Sequence, residues 1–387
     1  MVNGPLWCYF YAMKYVDNEN PMASMRFSCT QVSPNSLVYG TEDDLRKGFA
    51  SIQTYAKPER VFVENNCSVS LVGDDVQGIA DQMDIPWPVY AMDSGGMKGS
   101  FEAGYSAASL RIEKEMKTKE KIPASVNVLG LSTVHMKGRE DAEEIRRLLS
   151  LCGIRVISMP GGGSNWDDIM DAPSASLNIV VRDELGLSLA KQMEQDFGTP
   201  YMSCGLPYGT DGTIAWLSEI TEKLGAGELT RASHEASKLK EFLLRKGNNL
   251  ESLWGPLWFD AVLISAPPSE ALGIAETIRS EWIDTARLVI HAPCATEKTT
   301  LAADAIRIVM KNEKEITQDY EDWLGGLILA SSHETHLLTR MGKPFTGFHI
   351  ALPSHDEVHF SDLPQCGLRG AGYLYEQLWN AKLRKQR

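Results

Sequence analysis

Residues 61–92, VFVENNCSVSLVGDDVQGIADQMDIPWPVYAM, carry the pattern that decides the fold. Val61-Phe62-Val63 is a short β-branched and aromatic run. A polar turn through Asn65, Asn66 and Cys67 follows, then a helix-like stretch from Ser70 to Met83, then a second strand from Val89 to Met92. Strand, turn, helix and strand in this order make one βαβ unit with parallel strands.

The alternation continues outward. Ser125-Val126-Asn127-Val128-Leu129, a helix near Ala142 to Leu151 and Ile154-Arg155-Val156-Ile157 open a second block, which goes on through the strand Leu177 to Val181 and helices near Leu187–Phe197 and Thr213–Leu224. A long polar helix around His234 to Arg245 precedes strands at Ala261–Ile264, Arg287–Ile290 and Leu327–Leu329. Ala371 to Lys385 reads as a terminal helix. The Lys/Glu-dense link Glu113 to Lys121 marks a helix end or a domain boundary. A chain of 387 residues exceeds what one core usually supports. The expected class is α/β, with three Rossmann-like domains of parallel sheet flanked by helices. These are residues 1–118, with a C-terminal helix 370–387 packing back, then 119–246 and 247–369. Such folds bind ligands at the carboxyl ends of their strands, so the turns there carry the chemistry.

Composition excludes several classes. Apolar residues make up 43% and charged residues 23%, an ordinary globular balance. A formal net charge of -13, with no basic run interleaved with aromatics, argues against nucleic acid as a partner. No run of about 18 uncharged apolar residues and no basic leader is present, so no membrane partner and a cytoplasmic location are expected. Seven widely spaced cysteines do not form a disulfide framework and read as reduced thiols or metal ligands.

Two of them occupy turns. Cys8 follows Asn3-Gly4-Pro5-Leu6-Trp7, where the Gly-Pro pair is expected to present the thiol outside any regular element. Cys67 stands between strand and helix, followed by Gly73 in CSVSLVGDD. A thiolate near a helix N-terminus is favoured by the exposed N–H groups, which can also donate to cluster sulfides. Cys152 fits an apolar helix face, Cys204 a strand-end loop and Cys294 a Pro-flanked loop. His333, His336, His355 and His359 are close in sequence, but their order is not a zinc pattern. Gly161-Gly162-Gly163-Ser164 lacks the Lys-Ser/Thr ending of a P-loop, so any ATP is expected to be hydrolysed by a partner.

These turns resemble the nitrogenase component 1 superfamily. NGPLWC is similar to that family's glycine-proline turn bearing a cluster cysteine, and ENNCSVSLVGDD resembles its second cysteine turn. VYGTEDDLRKGF, DSGGMKGS, PGGGSNWDDIM, FGTPYMSCGLPYGTDGTIAWL, ASSHETHLLTRMGKPF, ALPSHDEVHF and CGLRGAGYLYEQLWNA extend the likeness over nearly the whole chain. The resemblance implies an iron–sulfur cluster held by Cys8 and Cys67, with Gly4 and Gly73 shaping the turns. It also implies an ATP-dependent iron protein as electron donor and a small-molecule substrate reduced between domains. A further cluster cysteine, usual upstream of the glycine-proline turn, has no counterpart, and Cys29 aligns with a stretch that is cysteine-free in the family. Two thiolates per chain give the Cys₄ shell of a [4Fe–4S] cluster across the axis of a homodimer; a homologous second subunit is the alternative.

At the positions that hold the family's iron–molybdenum cofactor, this chain has Arg182 and Cys366. Arg182 cannot ligate a metal, and it suits either an anionic group or a strand-end salt bridge. Cys366 is a ligand for a second, unidentified metallocofactor or a structural thiol. His355 belongs to a loop that the resemblance places at the cofactor cavity. Arg182, His355 and Cys366 are thus the cavity candidates of a nitrogenase-like reductase. A metallocluster-assembly scaffold and a non-redox Rossmann-like binding protein are the competing readings.

Overall fold

The computed structural model describes residues 1–19, 23–93, 95–292, 306–309 and 313–385; Cys294 lies outside them. The fold is α/β, with three parallel sheets flanked by helices. The first sheet joins β1 (Val2–Asn3), β2 (Val61–Asn65) and β3 (Val89–Met92) in the order β1-β2-β3. The second joins β4 (Ile122–Leu129), β5 (Arg155–Ser158), β6 (Ala175–Val180) and β7 (Tyr201–Ser203) in the order β5-β4-β6-β7. The third joins β8 (Trp258–Ser265), β9 (Asp284–His291), β10 (Ile306–Val309), β11 (Leu327–Ala330) and β12 (Thr346–His349) in the order β10-β9-β8-β11-β12.

The chain divides into two compact units, Met1–Arg111 and Ile112–Arg387. In the first, Leu45 and Phe49 of the helix Glu42–Tyr55 and Val76 and Ile79 of the helix Val76–Asp81 close on Val61 and Val63 of β2. Each side chain of this size, once buried, contributes about 1.5–3 kcal/mol. The single helix expected from Ser70 to Met83 is two, Cys67–Val72 and Val76–Asp81. Gly73 ends the first at φ +79 with its N–H on the Val69 carbonyl, a left-handed turn that a side chain would strain. Asp75 starts the second by accepting from the Gly78 N–H.

A second correction concerns Cys8. It lies inside the helix Leu6–Glu19, not in an irregular turn. Pro5 has a fixed φ and no N–H, which suits the start of a helix, and its carbonyl accepts the Cys8 N–H at 3.1 Å.

In the second unit one apolar cluster runs through both sheets. Val126 and Val128 of β4 and Ile145 and Leu148 of the helix Gly138–Leu151 join Val262 and Ile264 of β8 and Leu288 and Ile290 of β9. The C-terminal helix Gly367–Lys385, expected against the first block, lays Leu374, Leu378, Trp379 and Ala381 into this core. The boundary expected between 246 and 247 falls inside the continuous helix Thr230–Trp254. The helix Thr210–Leu224 starts on Glu281, whose carboxylate accepts the backbone N–H of Thr210 at 2.7 Å and those of Asp211 and Gly212 at 3.0 Å. Among the described residues no helix is long and apolar enough to cross a membrane.

Candidate functional site

Parallel pairing of Val2 with Glu64 and of Asn3 with Asn65 brings the turns after β1 and β2 out side by side at the carboxyl end of the first sheet. Gly4 therefore lies against Asn66, so close that a Cβ on Gly4 would sit 2.6 Å from Asn66 Cγ. Asn66 has two tasks. Its Oδ1 accepts the Val69 N–H at 3.0 Å and caps the helix Cys67–Val72, while its Nδ2 donates to Cys8 Sγ at 3.2 Å.

Cys67 is the first residue of that helix, and its Sγ accepts the Gly96 N–H at 3.1 Å. The loop that delivers this donor is tied down by the Ser70 hydroxyl, which donates to Asp93, and by Lys98, 3.0 Å from Asp93. The Ser70 hydrogen bond, with Lys98 behind it, holds the Asp93 carboxyl below its ordinary pKa. A Cβ on Gly95 would lie 2.4 Å from Ser70 Oγ, so glycine is required for the loop to close on the helix. Cys8 and Cys67 are both exposed. Two accessible sulfurs, each receiving an N–H, fit the thiolate ligands of an iron–sulfur cluster, because such donors spread the negative charge of a metal-bound thiolate. Gly73 sits at the other end of the Cys67 helix, where its role is to stop the helix.

Arg182 and Cys366 are brought together, but inside the second unit's core. Arg182 is 0% exposed; its Nε and Nη2 reach Glu270 Oε1 at 3.0 and 2.5 Å, and its Nη1 donates to the Gly130 carbonyl at 3.2 Å. Burial opposes its charge, yet Glu270, Tyr208 and Asp141 around it raise its pKa. Cys366 is also 0% exposed; its N–H donates to Asp141 at 3.0 Å and its thiol faces the Asp141 carbonyl at 3.8 Å. Burial pushes the Cys366 thiol well up. Of the two readings open for Arg182, the internal salt bridge is the one this geometry carries. The resemblance implies a cavity at both residues; here both are buried among internal partners. Cys152, which is buried, and Cys204, which is partly buried, are similar: burial raises the Cys152 thiol and lifts Cys204 to about 12.

The histidine-rich loop gathers more than its four sequence neighbours. His349, at the end of β12 and 2% exposed, is the most buried of them: Nδ1 meets Ser354 Oγ at 2.8 Å and Nε2 meets Thr335 Oγ1 at 3.2 Å. His336 lies 3.3 Å from Asp356, and the His333 and His355 rings are 6.3 Å apart. His349 is absent from the sequence reading, which gives no element at 346–349. Beside this loop a cavity of about 360 Å³ is lined by Lys137, Glu357, His359, Tyr373, Gln377 and Arg384, among others. Burial lowers the His359 pKa, against the opposing pull of Glu357. Lys137 donates to the Ser361 carbonyl and lies 5.9 Å from the Tyr373 ring centre. His355 itself is not among the residues lining the cavity. Among the described residues no group of three or more His, Cys, Asp and Glu side chains is arranged to hold a single metal ion.

Comparison with known proteins identifies the family. Over 260 residues, 65% of this chain and 54% of the relative, the sequence is 29% identical to the nitrogenase iron-molybdenum cofactor biosynthesis protein NifE of Clostridium pasteurianum; the match thus spans about half that relative's length. It is 22% identical over 377 residues, 92% of this chain and 69% of the relative, to a subunit of the light-independent protochlorophyllide reductase of Chloroherpeton thalassium. The solved structure "Nitrogenase Cp1 at pH 6.5" superposes with a TM-score of 0.78 at 17% identity, covering 100% of this chain and 88% of the other, which establishes the shared fold. The nitrogenase component 1 type oxidoreductase family profile matches residues 1–383, and the chain belongs to that family.

Proposed function

We propose that the chain is the electron-accepting subunit of a nitrogenase-like reductase. Cys8 and Cys67 would hold an iron–sulfur cluster, with remaining ligands from a second copy or a homologous subunit. That group supplies one-electron transfer when bound. An ATP-dependent iron protein is the donor and a small molecule the acceptor. The observation that carries this reading is the pair of exposed thiols in the first turns of the helices that follow the paired strands β1 and β2, each already given an N–H donor. Asn66 and Gly96 orient the sulfurs and stabilise their charge. In the second unit, Lys137 and Arg384 give the 360 Å³ cavity positive charge that suits an anionic substrate, and His359 is a proton carrier at its wall.

A scaffold that builds and delivers a metallocluster is the second reading. It is favoured by the relative named for cofactor biosynthesis and by the Arg182–Glu270 pair, which fills the space where a resident second cofactor is expected. One experiment separates them. Protein purified anaerobically is assayed for iron, sulfide and paramagnetic signals, then mixed with its co-encoded iron protein and ATP, or with a metal-free acceptor protein. Catalytic consumption of a small molecule supports the reductase, and stoichiometric transfer of iron to the acceptor supports the scaffold. Absence of iron and sulfide would sink both.

A further inference from the structure

We propose that Cys29 is a third iron ligand beside Cys8 and Cys67, an inference that rests on the cluster reading above. The segment carrying Cys29 is zipped along β1. Val2 N–H donates to the Ser28 carbonyl at 2.8 Å, Thr30 N–H to the Val2 carbonyl at 3.1 Å, and Val32 N–H to the Gly4 carbonyl at 3.0 Å, with an isolated bridge between Val2 and Cys29. Gly4 N–H adds a bond to Thr30 Oγ1 at 3.1 Å. This pairing delivers Cys29 Sγ to 3.3 Å from the Gly4 carbonyl oxygen, at the turn that also carries Cys8 and touches Asn66. Burial raises the Cys29 thiol, with the Gln31 N–H pulling the other way and Cys8 adding to the rise.

The surroundings of the sulfur share one feature with those of Cys8 and Cys67. Gln31 adopts φ +58, a left-handed conformation uncommon outside glycine, and directs its N–H at Cys29 Sγ at 3.4 Å. All three sulfurs of the first unit thus take one amide N–H each, from Gln31, Asn66 and Gly96. Like the Cys204 and Cys366 thiols, which point at the Val180 and Asp141 carbonyls, the Cys29 thiol donates to a carbonyl, that of Gly4 at 3.3 Å. When Cys29 ligates iron its proton goes to solvent. The Gly4 carbonyl is then still satisfied by Val32.

The consequence is a changed ligand count. Three thiolates bring one chain to within one ligand of a Cys₄ shell, leaving a single iron for a ligand from outside the chain. The full protein should then carry about four irons per chain, against about two if only Cys8 and Cys67 ligate and the cluster is shared. The test uses the full chain purified anaerobically, with Cys29→Ser, Cys29→Ala, Cys8→Ser and Cys67→Ser. Iron, sulfide and the paramagnetic spectrum are measured, and iodoacetamide labelling of Cys29 is compared before and after iron chelation. Iron falling to about half or less in Cys29→Ser, a shifted spectrum, and about tenfold protection of Cys29 that is lost on chelation are the expected results. Wild-type iron and spectrum in Cys29→Ser, or equal labelling of loaded and chelated wild-type protein, would overturn the proposal alone. Wild-type iron in both Cys8→Ser and Cys67→Ser would remove the cluster reading beneath it. Circular dichroism monitors folding; if a Cys29 variant unfolds, the labelling of wild-type protein still decides.

Discussion

Two regions of the molecule pair a cysteine with polar neighbours, and they solve opposite problems. At the end of the first sheet, Cys8 and Cys67 are exposed and their sulfurs accept N–H bonds. In the second unit, Cys366 and Arg182 are fully buried, and every charge near them has an internal partner. The first arrangement leaves lone pairs facing outward for a metal. The second spends its polar groups holding strand ends together. The difference teaches that similar residue types can serve opposite ends: in the first unit the thiols lie where something can reach them, and in the second the thiol and the guanidinium are framework.

The largest expected effect falls on the exposed site. Cys67→Ala should lose nearly all iron while the chain keeps its circular dichroism, because that sulfur contributes to no core; iron retained at the wild-type level would break the comparison. Next is Glu270→Ala, which strands Arg182 in the core and should cost about 3–5 kcal/mol in denaturant unfolding, with iron content unchanged in protein that remains folded. A loss below about 1 kcal/mol would mean that Arg182 reaches water after all.

Asp141 sharpens the contrast through pH. Burial raises its pKa to about 6, with Arg182 pulling the other way. The folded chain therefore holds this proton more tightly than the unfolded chain. The stability linked to it is complete below the ordinary value of 3.8 and is lost as pH rises through about 6. Asp141→Asn should remove that slope, a difference on the order of 2–3 kcal/mol between pH 4 and pH 7, read as unfolding midpoints against pH. Parallel curves for the two proteins would argue that Asp141 is ionised in the fold at low pH. The smallest effect is Asn66→Ala, which removes a helix cap and should cost about 1 kcal/mol. It also removes the Cys8 donor, so the cluster's redox potential should fall while its iron content is kept; an unchanged potential would deny Asn66 any role at the sulfur.

Much of this is legible in the chain. β2, β3, β4, β8, β9 and β11 announce themselves as β-branched runs, and the Cys67 turn is readable because strand and helix flank it directly. β1 and β7, of two and three residues, are too short to show a period. Cys8 reads as a loop residue because Gly-Pro signals a turn equally well when it is the run-up to a helix. Arg182 cannot be resolved between anion binder and salt bridge from sequence, since Glu270 lies 88 positions away and only the fold brings it near. Cys29 escapes for the same reason: its neighbourhood is created by pairing with Val2, which no local pattern declares.

Glu281 carries a further consequence. Parallel α/β folds often seat a nucleotide's phosphates on the first turn of a helix after a strand. Here three backbone N–H groups at the start of Thr210–Leu224 are already saturated by the chain's own carboxylate. At this helix the chain's own carboxylate occupies the anion cradle, so a phosphate would have to compete with Glu281 for the same three donors.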